Sequence, residues 1–543
     1  MVTFILEPFG PASFASLVMI GNSYSHPLGV LILVVSYLFW RHVQRKRNTP
    51  QKLPMPYSKK TSRIWGHELE IFQHETSEMY LEWATSVGLV YRIQAALFQS
   101  DIVIVGDNSA AQHILQNTYD YVKPPGFLRA IRRIVGNCMS TFEGDYHKHQ
   151  RKLLAPAFTS GAVDAMADDI FSCVDKMTQN LRSTLVSAGG TNGNVVDMVP
   201  VISACTLDII GRVGFGHDFG GGKSQEAKEI SSAWRRDVVV FRTFAGFIAP
   251  ILINVFPWIT SLPISAFRDS PVRRVTHRLA GELISNNSTH GRDILSILLN
   301  GNQHLKEKSE VQLTITEILD NIALFLMAGH ETTAVTIDFI LFHLAQNPSI
   351  QRKLQHEIRA LTSFDQNSIV GLEYLNAVVK EGLRLHPVGP VTERVALQDD
   401  VIPLSQAIRS GPSGDIVSSI TIKAGQVLRI PWHLLNINGQ IWGNNADKFI
   451  PERWMEPGGV PPVDMLPHGP WGGVSSFADG PRSCIGFRLA VLELKIITAL
   501  LVRSFEFDRT EAKIAQYLAP TLQPFADGKA SSMPLKVSLA AGL

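Results

Sequence analysis

The ten residues FADGPRSCIG at positions 477–486, followed by the helical pattern FRLAVLELKIITALLV at positions 487–502, decide the fold. Within this stretch, Cys484 lies directly before the predicted helix. The backbone N–H groups and the dipole of a helix point at a sulfur in that position and stabilise its thiolate form. The stretch therefore predicts a metal-binding or reactive cysteine at the start of a helix.

Four other residues of the stretch favour a ligand over a purely structural cysteine. Gly480 and Gly486 let the backbone approach closely where a side chain would block a flat ligand. Arg482 can pair with a carboxylate, and Phe477 can shield the sulfur from water. A buried structural Cys484 is the alternative, and the fixed offsets of these residues disfavour it.

The spacing FxxGxRxCxG resembles the haem-binding signature of the cytochrome P450 family of haem-thiolate monooxygenases. The resemblance implies that Cys484 is the axial ligand of the haem iron and that Phe477, Gly480, Arg482 and Gly486 bind the cofactor, haem b. Thiolate ligation pushes electron density onto the iron and favours cleavage of the O–O bond.

A second motif, Ala328-Gly-His-Glu-Thr-Thr333, lies in the middle of a long helical pattern. The segment Thr314-Ile-Thr-Glu317 predicts a capping box at the start of the helix, and Asn347-Pro348 predicts its end. Glycine and β-branched threonine are poor choices for a helix interior. The motif therefore predicts a local widening, where a threonine hydroxyl leaves the i−4 hydrogen-bonding pattern.

The same motif resembles the oxygen-binding pattern (A/G)Gx(D/E)T(T/S) of the family. The resemblance implies that Glu331 and Thr332 form the acid–alcohol pair that supplies protons during oxygen activation. It also implies that Ala328 and Gly329 lie against the cofactor. The alternative is an ordinary kinked core helix with a solvated Glu331.

The segment Glu381-Gly-Leu-Arg384 places an acid and a base on one helix face. A surface ion pair of little energetic value is the default interpretation. The segment also resembles the ExxR pair of the family, which is completed by an arginine of a PERW segment. That segment is present as Pro451-Glu-Arg-Trp454, so the resemblance implies a structural triad of Glu381, Arg384 and Arg453.

Residues 147–158, HKHQRKLLAPAF, resemble the family helix that usually carries WxxxR. Arg151 matches the arginine, and His147 stands where the family has tryptophan. Arg151, Arg394 and Arg482 are candidate partners of the haem propionates, because a guanidinium grips a carboxylate with two hydrogen bonds. Two interpretations of His147 stay open: a further propionate partner, or a surface histidine.

The N-terminal region has the pattern of a membrane anchor. Residues 1–40 carry one charged side chain, Glu7, and residues 41–63 carry eight cations and no acid. The uncharged run from Pro27 to Trp40 reaches about 30 Å as a helix if it is extended back to Gly21. We expect a single-pass anchor over residues 1–40 and a basic, proline-containing linker over 41–63. A buried core helix is the alternative.

The charge pattern also predicts the location of the protein. The cations follow the apolar run, whereas those of a secretory signal peptide precede it. By the positive-inside rule we expect the catalytic domain on the cytoplasmic side of the membrane. The family resemblance implies that this membrane is that of the endoplasmic reticulum. A second apolar stretch, Val238–Leu262, is interrupted by Arg242 and two prolines, so we interpret it as helices and a loop at the membrane surface or in the core.

The remainder, residues 64–543, is expected to be one haem domain. The 45% hydrophobic and 18% charged residues indicate a globular protein with a large core. Residues 89–105 predict two strands before a helix at Asp107, and residues 395–432 predict further strands around a loop at 411–414. The rest is largely helical in period. The predicted fold is mainly α with small β-sheets, the cytochrome P450 fold.

Composition also bounds the partners. The chain has four scattered cysteines and no zinc-type Cys/His cluster, which indicates a reducing environment without disulfides. The formal charge is +2, and the cations of the linker leave the rest of the chain acidic, so a nucleic-acid partner is excluded. Arg151, Lys152 and Arg488 are expected to lie on a basic face for an acidic partner.

The resemblance implies a monooxygenase that uses O2 and receives electrons from NADPH through NADPH–cytochrome P450 reductase. The expected substrate is lipophilic, a terpenoid or another secondary metabolite of the fungal type. The substrate-facing positions implied by the resemblance are Pro125–Arg129, Phe325, Ala328, Val391–Thr392 and Leu522–Phe525. The alternatives are a haem-thiolate isomerase or dehydratase that needs no external electrons, and a non-catalytic haem sensor.

Overall fold

The computed structural model describes residues 53–187, 193–256, 259, 271–285, 293–307, 311–410 and 414–540. The predicted anchor over residues 1–40 and the first part of the predicted linker lie outside the described residues. The end of that linker is part of the body, because Leu53 is buried and its carbonyl accepts a hydrogen bond from Arg92 Nε at 3.0 Å.

The described chain is mainly helical, as the sequence predicts. The α-helices are α1 (Glu68–Gln73), α2 (Glu78–Val87), α3 (Asn108–Gln116), α4 (Pro125–Val135), α5 (Gly144–Leu154), α6 (Ser160–Asp164), α7 (Ala167–Ser187), α8 (Met198–Phe215), α9 (Gln225–Phe241), α10 (Phe244–Val255), α11 (Pro271–Ser285), α12 (Ile294–Glu307), α13 (Ile315–Gln346), α14 (Pro348–Arg359), α15 (Gln366–Val370), α16 (Glu373–Leu385), α17 (Trp432–Asn436), α18 (Gly439–Trp442) and α19 (Phe487–Ser504).

Most of the strands are short, and they form small sheets. They are β1 (Val90–Ile93), β2 (Ile102–Val105), β3 (Tyr121–Val122), β4 (Asn194–Asp197), β5 (Val391–Ala396), β6 (Asp400–Ser410), β7 (Asp415–Ile422), β8 (Val427–Pro431), β9 (Phe505–Arg509), β10 (Ile514–Leu518), β11 (Leu522–Ala526), β12 (Lys529–Ala530) and β13 (Pro534–Leu539).

The largest sheet has the strand order β1-β2-β8-β5-β3, in which only the β2–β8 pair is parallel. The predicted strands over residues 89–105 are β1 and β2. Asp107 caps the helix that follows, since its side chain accepts a hydrogen bond from the backbone N–H of Ala110. The predicted strands over 395–432 are confirmed as β6, β7 and β8, and residues 411–413 of the predicted loop lie outside the described residues.

The smaller sheets join distant parts of the chain. Strands β4, β13 and β9 form an antiparallel sheet in that order, and β10, β11 and β12 form another. In the first, Asp197 at the end of β4 lies opposite Pro534 of β13. Helix α8 starts directly after Asp197, so this sheet fixes the start of α8.

The central helix α13 runs without interruption for 32 residues. The predicted capping box is present: the Thr314 hydroxyl accepts from the Glu317 N–H, and the Glu317 carboxylate accepts from the Thr314 N–H. The helix ends at Gln346, directly before Asn347-Pro348. Gly329 permits a close crossing of α8, because a Cβ at this position would lie 2.9 Å from the Ile210 side chain.

The apolar stretch Val238–Leu262 contains a sharp bend. Helices α9 and α10 meet at 83° near Arg242. The Arg242 guanidinium lies over the rings of Phe72 and Tyr517, at 4.5 and 4.4 Å. Among the described residues α8 and α13 are long and apolar enough to cross a membrane, but 72% of each apolar window is buried in the protein. Their hydrophobicity is therefore that of core helices.

Candidate active site

A cavity of about 230 Å³ lies between α13 and the loop that carries Cys484. Residues from α5, α13, α19 and the segment before α19 surround it, and apolar and polar side chains line it in nearly equal numbers. The apolar side chains include Met139, Phe158, Ile210, Leu324, Phe325 and Leu489. The polar side chains on the wall include those of Lys123, His147, Arg151, Thr332, Thr333, Arg482, Cys484 and Glu493.

Cys484 lies three residues before Phe487, the first residue of α19, and Gly486 is the N-cap. Its N–H donates to the Phe477 carbonyl at 2.8 Å, which holds the loop closed, and its side chain is open to the cavity. Burial raises the pKa of the thiol, while the Gly486 N–H and the Arg151 charge lower it. A cation in the cavity would stabilise the thiolate further, so the site suits metal ligation through sulfur.

The other motif residues shape the loop that presents Cys484. Phe477 is 8% exposed, and its ring packs against Trp471 and Phe487. Gly486 lines the cavity, as expected of a residue beside a flat ligand.

Gly480 is not among the residues that line the cavity, and it lies against the end of α3. Its φ is +68°, and a Cβ there would lie 2.1 Å from the Leu115 carbonyl oxygen at the end of α3. Its missing side chain therefore makes room for the end of α3.

Four cationic side chains, Lys123, Arg151, Arg394 and Arg482, converge beside the cavity, and we call them the cationic cluster. One acid, Glu143, faces them: it lies against Arg482, and the Lys123 N–H donates to it at 3.3 Å. Burial, followed by the Arg482 and Arg394 charges, lowers the pKa of Lys123 to about 7. Burial and the Arg482 charge likewise lower the pKa of Arg394 to about 10.

Some N–H donors of the cationic cluster have no acceptor among the described residues. Arg394 uses Nη1 on the Thr392 hydroxyl at 2.6 Å, and Arg151 uses Nη1 on the Ser483 carbonyl at 2.8 Å. The Nε atoms of Arg394 and Arg482 are buried and have no hydrogen-bond partner among the described residues. Buried donors of this kind need an acceptor, so the cluster is built for an anionic group. The two propionates of haem b fit it, and Cys484 fits the iron.

The sequence does not predict that Lys123 belongs to the site, because a single lysine before a helix forms no recognisable motif. Of the predicted propionate partners, Arg151 and Arg482 line the cavity directly, and Arg394 lies behind them.

His147 is buried, so the surface-histidine interpretation is wrong. Its Nδ1 lies 3.0 Å from the Tyr119 hydroxyl, and the ring lines the cavity. Burial, followed by the charges of Arg482, Arg151 and Lys123, lowers the pKa of His147 to about 3. The imidazole is therefore neutral, and it adds a hydrogen-bonding group to the cationic cluster without adding charge.

Thr332 lines the cavity from α13, and Ala328 and Gly329 line it one turn earlier. The predicted widening is absent: α13 is regular here, and the Thr332 hydroxyl donates to the Ala328 carbonyl at 2.6 Å. The i−4 bond satisfies the hydroxyl without any break in the helix. Because its hydrogen is used in this way, the Thr332 oxygen faces the cavity as an acceptor.

Glu331 is buried and points away from the cavity, so the solvated interpretation is wrong. Its Oε1 accepts from the Ser203 hydroxyl at 2.8 Å, and His330 Nε2 lies 3.0 Å from the same atom. Burial raises the pKa of Glu331, but His330 and hydrogen bonds from Ser203 and Gln523 outweigh it and hold the pKa below its usual value. Glu331 is thus a carboxylate held behind the wall on which Thr332 lies.

Glu493, on α19, is a second buried acid and does line the cavity. Thr333 hydrogen-bonds to it, and its Oε2 has no partner among the described residues. Burial raises the pKa of Glu493 to about 8. In sequence it is one charged residue inside a helical pattern, which would predict a solvated face; only its neighbours show that it is enclosed.

The predicted triad residues lie together in the core. Arg384 donates from Nε and Nη2 to the Glu381 carboxylate, both at 2.8 Å, and Arg453 Nε donates to Glu381 at 2.9 Å. Arg384 also donates to the carbonyls of Asn436 and Ala446. The default interpretation, a surface pair, is wrong, since the Glu381 and Arg384 side chains are both 0% exposed.

Of the substrate-facing positions that the resemblance implies, Phe325 and Ala328 line the cavity. Helix α4 and residues Val391–Thr392 do not line it. Strand β11 is buried against other parts of the protein: Phe525 packs with Trp234 and Val238.

Comparison with known proteins gives one family. The family model "Cytochrome P450" matches residues 56–518. Cytochrome P450 monooxygenase claP of Ampulloclitocybe clavipes is 30% identical over 533 residues, which cover 94% of this chain and 96% of that protein. Cytochrome P450 monooxygenase 205 of Postia placenta is 29% identical over 509 residues, which cover 89% and 91%. Both relatives are fungal proteins.

Proposed function

This chain belongs to the cytochrome P450 family of monooxygenases, and on that premise we propose that it inserts one oxygen atom of O2 into a lipophilic small molecule, with haem b as cofactor and NADPH as electron source. The observation that carries the proposal is the pairing of two features in one cavity. The Cys484 thiol is open to the cavity, and the cationic cluster beside it has buried donors without acceptors.

In this proposal each residue group has one task. Haem b, when bound, supplies the redox chemistry that activates O2. Cys484 holds the iron through its sulfur, and the Gly486 N–H and the Arg151 charge stabilise the thiolate. The cationic cluster of Lys123, Arg151, Arg394 and Arg482 would hold the propionates.

Thr332 positions the proton donor on its side of the cavity. Its oxygen accepts a hydrogen bond from a water or hydroxyl group in the cavity, because its own hydrogen is donated to Ala328. Glu331 is the carboxylate behind this wall that takes up a proton and passes it on. Since its carboxylate contacts Ser203 and His330 instead of the cavity, a proton leaves it through the Ser203 hydroxyl or a bridging water.

The apolar walls support a lipophilic substrate. Phe158 and Phe325 meet edge to face at 5.2 Å, and Leu324 and Ile210 continue the same surface. We propose a terpenoid or another secondary metabolite as the substrate class. A hydrophobic wall orients such a molecule through shape, so regioselectivity depends on these four side chains.

The proposed electron donor is NADPH–cytochrome P450 reductase at the endoplasmic reticulum membrane, with the catalytic domain in the cytoplasm. Arg488, exposed in the first turn of α19, is four residues after Cys484 and is a candidate contact for an acidic reductase surface. Arg151 donates to the Ser483 carbonyl and lines the cavity, so it is a residue of the site and not a candidate contact for the reductase.

Labelled oxygen tests the proposal. Membranes that contain the full chain, reductase and NADPH are incubated with a terpenoid panel under ¹⁸O2, and products are analysed by mass spectrometry. We expect one ¹⁸O atom in a product that forms only with NADPH. A product that forms without NADPH and without label would support the isomerase alternative. Binding of haem without any NADPH-dependent O2 consumption across the panel would support the sensor alternative.

A further inference from the structure

Asp338 is a buried acid for which the proposed function has no role. It lies on α13, is 0% exposed, and neither carboxylate oxygen has a hydrogen-bond partner among the described residues. A carboxyl without partners in a core is costly, and an apolar side chain would pack there at no such cost. Packing therefore does not explain an acid at this position.

Asp338 lies on the same face of α13 as Glu331. Seven residues separate them, which is two helical turns and about 10 Å along the axis. Glu331 reaches Ser203 on α8 and Gln523 on β11 from this face. The two acids are too far apart for a direct hydrogen bond, and a chain of two or three buried waters would span the distance.

Asp197 lies where β4 ends and α8 begins, six residues before Ser203, the α8 residue that hydrogen-bonds to Glu331. Its side chain is 27% exposed and accepts hydrogen bonds from the Ser532 hydroxyl and the Met533 N–H, both at 2.8 Å. It is thus in contact with solvent. The charged groups that influence Asp338 are Glu331 and Asp197, both acids, and together with burial they raise its pKa well above the usual value. Burial without a hydrogen-bond partner therefore favours the protonated form of Asp338.

Resting on the function proposed above, we propose that Asp197, Asp338 and Glu331 form a proton-entry route from solvent to the Thr332 side of the cavity. In one cycle the O–H bond of Asp338 breaks and a proton passes through water to the Glu331 carboxylate. The Asp338 carboxylate that remains takes a proton from solvent through Asp197. One proton enters for each one delivered, and the electrons come from the redox partner.

Asp338→Asn tests the route, because the amide fills the same space and carries no exchangeable acid proton. Asp208→Asn is the matched control, since Asp208 is also buried, has an unpartnered oxygen, and lies on α8 next to Gly221, away from Glu331. The rate of O2 consumption by the holoenzyme with reductase and NADPH is measured in H2O and in D2O, and the ratio of the two rates is the solvent isotope effect. Hydrogen peroxide released per O2 consumed is measured in parallel.

We expect Asp338→Asn to increase the solvent isotope effect and to raise the peroxide fraction several-fold, with Asp208→Asn unchanged. Asp197→Asn should produce the same effects more weakly, because water can replace a solvent-exposed station. It also keeps the test open if Asp338→Asn fails to fold. Isotope effects and peroxide fractions equal to those of the parent in both route variants would overturn the proposal.

A second readout does not depend on turnover. A protonated buried carboxyl has an infrared C=O band that shifts in D2O. Besides the band of Glu493, we expect the parent spectrum at neutral pH to contain a second one that Asp338→Asn removes and Asp208→Asn retains. Absence of that band overturns the route even if the monooxygenase proposal holds. Failure of the proposed function is distinct, since the parent itself would then show no NADPH-dependent O2 consumption.

Discussion

Replacing Glu381 by glutamine should remove a large part of the stability, because this carboxylate neutralises two arginines inside the core. Its Oε1 accepts from Arg384, from Arg453 Nε and from the Ile450 N–H, at 2.8, 2.9 and 2.9 Å. Its Oε2 accepts from Arg384 Nε at 2.8 Å and Trp454 Nε1 at 2.9 Å. Glutamine offers one oxygen to these five donors and no charge.

The magnitude follows from burial. Removing one partner of a buried ion pair leaves an uncompensated charge and costs about 3–5 kcal/mol. Glutamine keeps the shape and one acceptor, so we expect the low end of this range, about 3 kcal/mol. Total stabilities of folded proteins are about 5–15 kcal/mol, so the loss is a substantial fraction.

Urea unfolding of the full-length protein, followed by tryptophan fluorescence, measures the change. Glu373→Gln is the control: Glu373 is exposed in the first turn of the same helix, α16, and should shift the free energy of unfolding by no more than about 0.5 kcal/mol. If Glu381→Gln changed the free energy as little as Glu373→Gln does, the reasoning that the triad neutralises buried charge would be refuted.

Two further predictions concern single residues of the site. Gly480→Ala should lower the free energy of unfolding by more than about 2 kcal/mol, because the new Cβ would meet the Leu115 carbonyl. Gly528 also has a positive φ, but no atom lies within 4 Å of its Cβ position, so Gly528→Ala should cost only about 1 kcal/mol of backbone strain. Equal losses of stability for the two variants in thermal unfolding would contradict this prediction. Glu493, whose pKa is raised to about 8, binds a proton in the folded state that the unfolded state releases near pH 4.5, so stability should fall as the pH rises from 4.5 to 8. Glu493→Gln should flatten this slope in urea titrations at several pH values, and an unchanged slope would show that another group causes it.

Local signals in the sequence predicted the elements that carry the site. The capping box Thr314–Glu317, the N-cap Asp107 and the apolar pattern after Cys484 each depend on neighbours within four residues, so they could be read directly. The position of Cys484 before α19 follows from the same kind of local signal.

The environments of single polar residues could not be predicted in this way. Lys123, Asp338 and Glu493 carry no motif, and their burial comes from segments far away in sequence. The close approach of Gly480 to the Leu115 carbonyl could not be predicted either, because it joins positions 365 residues apart. The expected widening at Thr332 failed for a different reason: threonine satisfies its hydroxyl by an i−4 bond inside a regular helix.

The most direct test of the central claim, that Cys484 is a thiolate ligand, is the reduced, carbon-monoxide-bound difference spectrum of membranes that contain the full chain. We predict a Soret band at the red-shifted position of thiolate-ligated haem, and its loss in Cys484→Ser. A band at the position of histidine-ligated haem, or a red-shifted band that persists in Cys484→Ser, would contradict the account.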